Sequence, residues 1–212
     1  MKISDQDTLL FIGDSITDCG RPRPVGERGE LGDGYVNLAN SLLATCHPEI
    51  RVRVLNTGIS GNRITDLEAR WRDDVLAHQP DWLSIMIGIN DVWRQFDNVT
   101  DTDVVNLERF ENVYRQLLSA TRPNLKGLVL MTPFYLETNP ADPMRAQMDA
   151  YGAVVKRLAE EFDAVFVDVQ AAFDAYLEMR PTQTLCSDRV HPNQTGHLII
   201  AKAFFNAIGA QW

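Results

Sequence analysis

The stretch Leu9-Leu10-Phe11-Ile12-Gly13-Asp14-Ser15 constrains this chain most. Four apolar residues in succession suit a short, fully buried strand. Gly13-Asp14 stops the run and leaves Ser15 at the strand's carboxyl end, with Asp18 and Gly20 turning the chain at once. In open parallel α/β sheets, ligands bind outside the carboxyl ends of the strands. A serine there, at the first turn of the chain, is a candidate nucleophile. Serines also cap turns and helices. A base and an anion-binding site elsewhere would decide between the two.

Short apolar runs recur at 52–56, 82–88, 127–132 and 164–169. Longer stretches at helical spacing separate them: 35–43 (closed by Pro48), 64–78, 104–120, 144–162, 171–177 and 192–208. Leu67, Trp71, Val75 and Leu76 share one side of the second stretch. Met148, Tyr151, Val155, Leu158 and Ala159 do so in the fourth, and Leu198, Ile199, Ala201, Ala203 and Phe204 in the last. Five strands alternating with helices predict an α/β chain, with an all-parallel sheet covered on both faces. Residues 21–34, rich in Arg, Pro, Gly and Glu, read as an ordered surface loop near the site. No repeat or shift of composition divides the 212 residues, so one domain over 1–212 is expected.

Apolar residues make up 45% of the chain, yet no run approaches the roughly 20 needed to span a bilayer. The first residues show no cationic start followed by an apolar core, so no signal peptide is expected. Cys19, Cys46 and Cys186 are an odd number without CxxC spacing, which fits a reducing cytoplasm better than a disulfide framework or a zinc site. In that compartment the sequons Asn98-Val99-Thr100 and Asn193-Gln194-Thr195 carry no meaning. A net charge of −9 repels phosphate backbones and anionic lipid, so neither nucleic acid nor membrane is an expected partner. A neutral or cationic small substrate is easier to accept.

Chemistry is sought where the strands end. The second delivers Asn56-Thr57-Gly58-Ile59-Ser60-Gly61-Asn62, the third Gly88-Ile89-Asn90-Asp91, and the chain's last turn Ser187-Asp188-Arg189-Val190-His191-Pro192. Acyl transfer by serine needs an imidazole base and a group to orient it. His191 precedes a proline, which biases it away from helical geometry. Pro192 suits the first position of a helix, placing His191 at or just before the cap. Asp188, three residues back, is within reach of the ring. The same pair could merely start a helix, and a metal site from Asp188, His191 and His197 is a further alternative. An oxyanion needs convergent donors. The Gly61 amide is unobstructed by a Cβ, Asn90 has a side-chain NH₂, and the Ser15 amide would be the third.

Gly13-Asp14-Ser15, Asn56-x-Gly58-x-x-Gly61, Gly88-x-Asn90-Asp91 and Asp188-x-x-His191-Pro192 together resemble the blocks of the SGNH, or GDSL, hydrolases. The likeness runs from residue 8 to about 208, with the blocks in family order. It implies a three-layer α/β/α flavodoxin-like fold with a five-stranded parallel sheet. It implies Ser15 as nucleophile, His191 as base, Asp188 as its partner, and Ser15, Gly61 and Asn90 as oxyanion donors, with neither cofactor nor metal. Residues 11–21, 85–95 and 131–135 look like the bacterial intracellular acetylxylan esterases of this group, which remove acetyl groups from xylo-oligosaccharides. Enzymes of that type are cytoplasmic, and a homo-oligomer is expected. Trp93 and Tyr135 are candidate sugar platforms, whereas Trp71 is read as core. One departure is visible. Cys186-Ser187 precede Asp188 where those enzymes carry a tryptophan, which bears on the sugar or acyl subsite and leaves the catalytic roles intact. Other acyl hydrolases (lysophospholipase, thioesterase, arylesterase) would need an apolar groove that loop 21–34 does not advertise. A catalytically dead carbohydrate-binding module is opposed by the intact set of five residues.

Overall fold

The computed structural model describes residues 1–97 and 103–210. The Asn98-Val99-Thr100 sequon lies outside the described residues. The apolar runs form β1 (Thr8–Gly13), β3 (Arg53–Asn56), β4 (Trp82–Met86), β5 (Gly127–Met131) and β6 (Val165–Val167). These pair in parallel in the order β3-β1-β4-β5-β6. A sixth strand corrects the five-stranded, all-parallel expectation: β2 (Gly26–Glu27) adds antiparallel to the edge of β3. Its two residues lie in the loop 21–34, where Glu27 also takes the Arg53 guanidinium at 2.9 Å, and a run of two leaves no pattern to read.

The sheet's pleat sorts each strand into two cores. Leu10, Ile12, Leu83, Ile85, Leu128 and Leu130 face one way, under α3 (Ile64–Asp74), α5 (Leu107–Thr121) and α6 (Pro143–Glu161). Leu9, Phe11, Trp82, Val129, Met131 and Val167 face the other, under α2 (Tyr35–Cys46), α7 (Val169–Leu177) and α8 (Gln194–Ala207). That alternation at period two makes the three layers. Trp71 belongs to the first core, its indole N–H donating to Thr121 Oγ1 at 2.8 Å. Leu76 and Leu198, expected inward, are 39% and 42% exposed. Helix α3 stops at Asp74, so Leu76 sits in a 3-10 turn beyond it. On α8 the inward face is taken by Ile200, Ala201, Phe204 and Phe205.

Among the parallel strands the chain starts in β1, moves to one side through β3, then crosses to β4 on the other. The carboxyl ends of β1 and β4 therefore flank the switch in direction, where open α/β sheets bind ligands. β1 runs straight into α1 (Ser15–Asp18), and β4 leads through Ile87-Gly88 into α4 (Ile89–Asp97). Asn90, expected just past the end of a strand, thus stands in the first turn of a helix. Among the described residues no helix is long and apolar enough to cross a membrane.

Candidate active site

Asp14 caps α1 by accepting from the Ile16 amide at 3.0 Å, and Ser15 is the first residue of that helix. The cap turns the chain sharply at the end of β1 and leaves Ser15 half-buried. Its hydroxyl lies 3.0 Å from His191 Nε2, although 176 residues separate the two in sequence. Asp14 itself is buried. Burial pushes its carboxyl up to about 7, against the pull of the Ile16 amide and of His191.

His191 and Asp188 lie on a tight turn between β6 and α8. Asp188 Oδ2 is 2.6 Å from His191 Nδ1, while Oδ1 accepts from the amides of Val190 and His191 at 2.9 and 2.8 Å. Partial burial works against the Asp188 carboxylate, but those hydrogen bonds win and hold it below the usual range. Arg189 makes the turn possible with φ of 64°. Its carbonyl accepts from Leu136 N at 3.0 Å, and its guanidinium pairs with Glu137 at 2.8 Å, fastening the turn to the segment after β5. The helix start is corrected by two residues. Gln194, not Pro192, is the first residue of α8, and Asn193 caps it, its side chain accepting from Thr195 and Gly196. His191 thus stands outside the cap, and its partners rather than the helix end set its orientation.

The donors expected for an oxyanion come from the ends of β3 and β4. Gly58 is a forced choice: a Cβ there would stand 2.6 Å from the Asp18 amide nitrogen, so only glycine lets this loop lie against α1. Ile59 N donates to Gly13 O at 3.0 Å, and the Ser60 amide and hydroxyl both donate to Asp18 Oδ2 at 2.9 Å. Gly61 follows with φ of 83°, a left-handed conformation that favours glycine, on an exposed face. The amides of Ser15 and Gly61 have no partner among the described residues. Asn90 is 3% exposed and donates one N–H to Asn62 O at 3.1 Å, leaving its second N–H to a ligand. The sequence-predicted residues are therefore brought together, three by direct contact and two through the loop that joins them.

One neighbour was not legible from the sequence. Arg70 of α3 reaches the backbone ends of both β1 and β3. Asp91 is buried, its Oδ1 accepting from Ile64 N at 3.0 Å. The Trp93 ring lies 5.9 Å from that of His191, and Arg189 stacks over Tyr135 at 5.9 Å, so both aromatic candidates border the turn of His191. Ser187 is exposed beside Asp188. His197 is not part of the group. It is buried, with Nδ1 accepting from Tyr35 N at 3.2 Å and Nε2 3.4 Å from Cys19 Sγ, and burial pulls it down to about 4.

Asp91 offers a test through pH. Burial pushes its carboxyl up to about 7, whereas an unfolded aspartate titrates near about 3.9. Between those values the folded protein holds a proton that the unfolded chain has released. Asp91 therefore costs stability as pH rises through that window, and the loss levels off above it. Asp91→Asn cannot ionise. Urea unfolding at pH 5 and pH 8 is expected to show the variant gaining on the parent by on the order of 1–3 kcal/mol at the higher pH. A difference independent of pH would refute the assignment.

A hydroxyl, an imidazole and a carboxylate in one row, beside unpaired amide donors, is the arrangement of a serine hydrolase of carboxylic esters. The chain belongs to the GDSL-like lipase/acylhydrolase family, which matches residues 11–199. It is 54% identical over 215 positions to an acetylxylan esterase from Geobacillus stearothermophilus, covering 100% of this chain and 98% of that one. The crystal structure of that enzyme superposes with a TM-score of 0.99 at 53% identity, with the same coverage. Its catalytic mutants replace a serine that also carries number 15, and an aspartate and a histidine three positions apart, as Asp188 and His191 are. Another variant replaces a tryptophan directly before that aspartate, the place Ser187 holds here. A more distant relative is thioesterase 1/protease 1/lysophospholipase L1 of Escherichia coli K12, 27% identical over 92% of this chain and 80% of its own length.

Proposed function

We propose that this chain removes acetyl groups from acetylated xylo-oligosaccharides, with Ser15 as nucleophile, His191 as general base and Asp188 as its orienting partner. The observation that carries the reading is the unbroken row from Ser15 Oγ to His191 Nε2 at 3.0 Å and from His191 Nδ1 to Asp188 Oδ2 at 2.6 Å. Asp188 accepts a hydrogen bond from Nδ1–H and so presents the Nε2 lone pair to Ser15. His191 takes the hydroxyl proton as Oγ bonds to the acetyl carbon. The carbonyl electron pair moves onto oxygen, where the amides of Ser15 and Gly61 and the Asn90 side chain receive it. His191 then passes its proton to the departing sugar oxygen, the oxyanion collapses, and an acetyl-serine remains. Water repeats the sequence, releasing acetate and restoring Ser15.

The acetyl preference draws on the 54% identity to the Geobacillus enzyme. Trp93 and Tyr135, flanking His191 and Arg189, supply faces on which sugar rings stack. Rates on acetylated xylo-oligosaccharides, 4-nitrophenyl acetate and a long-chain 4-nitrophenyl ester test the reading. Acetyl substrates are expected to be preferred; a long-acyl preference would move the chain towards the thioesterase and lysophospholipase activities named for its Escherichia coli relative. Asn90→Ala is expected to lower kcat about 10²–10³-fold, the usual cost of one oxyanion donor, without unfolding the protein. Near-normal turnover in that variant would remove Asn90 from the mechanism.

A further inference from the structure

The donors of the oxyanion site sit on a loop and a helix start. Ile59 and Ser60 fasten the near side of the loop to Gly13 and Asp18. Its far end and the Asn90 amide need a further hold, because a misplacement of about 1 Å is enough to cost catalysis heavily. One side chain contacts the end of β1 and both ends of the Gly61 loop. Arg70, on α3, donates from Nη2 to Gly13 O at 3.1 Å, at the end of β1 and two residues before Ser15. From Nη1 it donates to Thr57 O at 2.6 Å, just past the end of β3. From Nε it donates to Asn62 Oδ1 at 2.7 Å, immediately after Gly61. Asp74 Oδ2, one helical turn on, accepts from Nη1 at 2.6 Å and holds the guanidinium in place.

Asn62 is the hinge of this arrangement. Its side chain is held by Arg70, and its backbone carbonyl accepts from Asn90 Nδ2 at 3.1 Å. A continuous path thus runs from Asp74 through Arg70 and Asn62 to the Asn90 amide, with branches to the strands that carry Ser15 and Gly61. The Arg70 side chain is only 15% exposed, so solvent does little to loosen its bonds. The planar fork is what lets one residue bind acceptors on three segments. A lysine ammonium, a point charge on a flexible stem, cannot span them.

We propose that Arg70 is a positioning residue for the oxyanion site, setting the Gly61 loop and, through Asn62, the Asn90 amide in register with Ser15. This rests on the mechanism proposed above. Because Arg70 acts on the donors rather than on bound substrate, it should affect kcat and leave KM nearly alone. A residue that only stabilised the fold would lower the melting temperature without that split.

The test measures kcat and KM on 4-nitrophenyl acetate for the parent, Arg70→Lys, Arg70→Met, Asn90→Ala and the Arg70→Met/Asn90→Ala double variant. Arg70→Met is expected to lose about 10–100-fold in kcat with KM within about threefold, and Arg70→Lys at least about fivefold in kcat. In the double variant, adding Arg70→Met should cost clearly less than it costs in the parent, since one of the two donors it places is already gone. A kcat within about twofold of the parent for Arg70→Met, or losses that multiply in full, would overturn the proposal. Where Arg70→Met does not fold, Asn62→Ala severs only the Arg70–Asn62 link. It should lower kcat about fivefold or more and again fail to multiply with Asn90→Ala; parental kcat in that variant overturns the proposal. Absence of acetyl-ester hydrolysis in the parent, or an unimpaired Asn90→Ala, would instead bring down the underlying mechanism, and this inference with it.

Discussion

Replacing Ser15 with alanine is expected to lower kcat on acetyl esters by a factor on the order of 10⁵ or more, with substrate affinity little changed. The hydroxyl is the atom to which the acyl group must bond. The remaining imidazole could at most activate a water held between His191 and the donors, which leaves a small residue of catalysis. The fold should be indifferent to the change. Ser15 Oγ is 3.0 Å from His191 Nε2, while the helix start is held by Asp14 and the Ile16 amide. Two measurements check this together. The variant's melting curve should overlie the parent's, and a fluorophosphonate probe should add its mass to the Ser15 peptide of the parent alone. Activity within about tenfold of the parent would mean that another nucleophile or a metal-bound water performs the hydrolysis.

Much of the fold was legible because buried parallel strands have a strong signature. The runs at β1, β4 and β5 are apolar on both faces, which only a doubly covered sheet requires. What escaped was structure held by backbone or by distance. β2 pairs Gly26 and Glu27 with Asn56 and Leu55 and has no pattern of its own. Helix α4 was hidden because its first turn carries Asn90-Asp91, residues equally at home in turns, and only two residues separate it from β4.

The candidate site was legible for a different reason. Each of its parts sits at a strand end or a helix start, places marked by glycine, asparagine, aspartate and proline in the sequence. Physical reading could put Ser15 and His191 at the same sheet edge, and the resemblance to a known family supplied their roles. Position within the turn was harder. Pro192 looks like a helix opener, yet Asn193 offers a side-chain acceptor to two amides and wins the cap. Arg70 left almost no trace. Its i,i+4 pairing with Asp74 reads as an ordinary surface ion pair, and the carbonyls it binds lie 57 and 13 residues away in sequence.

Asp188→Asn separates orientation of the imidazole from support of the turn. In the parent, Oδ1 accepts from two backbone amides while Oδ2 faces His191 Nδ1 at 2.6 Å. An asparagine can keep its oxygen on those amides, so the turn survives. Its NH₂ then occupies the place of Oδ2 and donates to Nδ1. That reverses the tautomer: the ring proton moves to Nε2 and points at Ser15 Oγ, where a lone pair is needed. The expected loss is about 10³–10⁴-fold in kcat, with a melting temperature close to the parent's. The Asp188 and His191 side chains are 40% and 46% exposed, so the contact between them adds little to stability. Asp188→Ala makes the complementary comparison. It forces neither tautomer but leaves two amides without their acceptor, so it should be the more active of the two variants and the less stable. Initial rates and thermal melts of both variants decide the matter. If Asp188→Asn kept activity within about tenfold of the parent while Asp188→Ala lost it, Asp188 would be a brace for the backbone and the base would be oriented by something else.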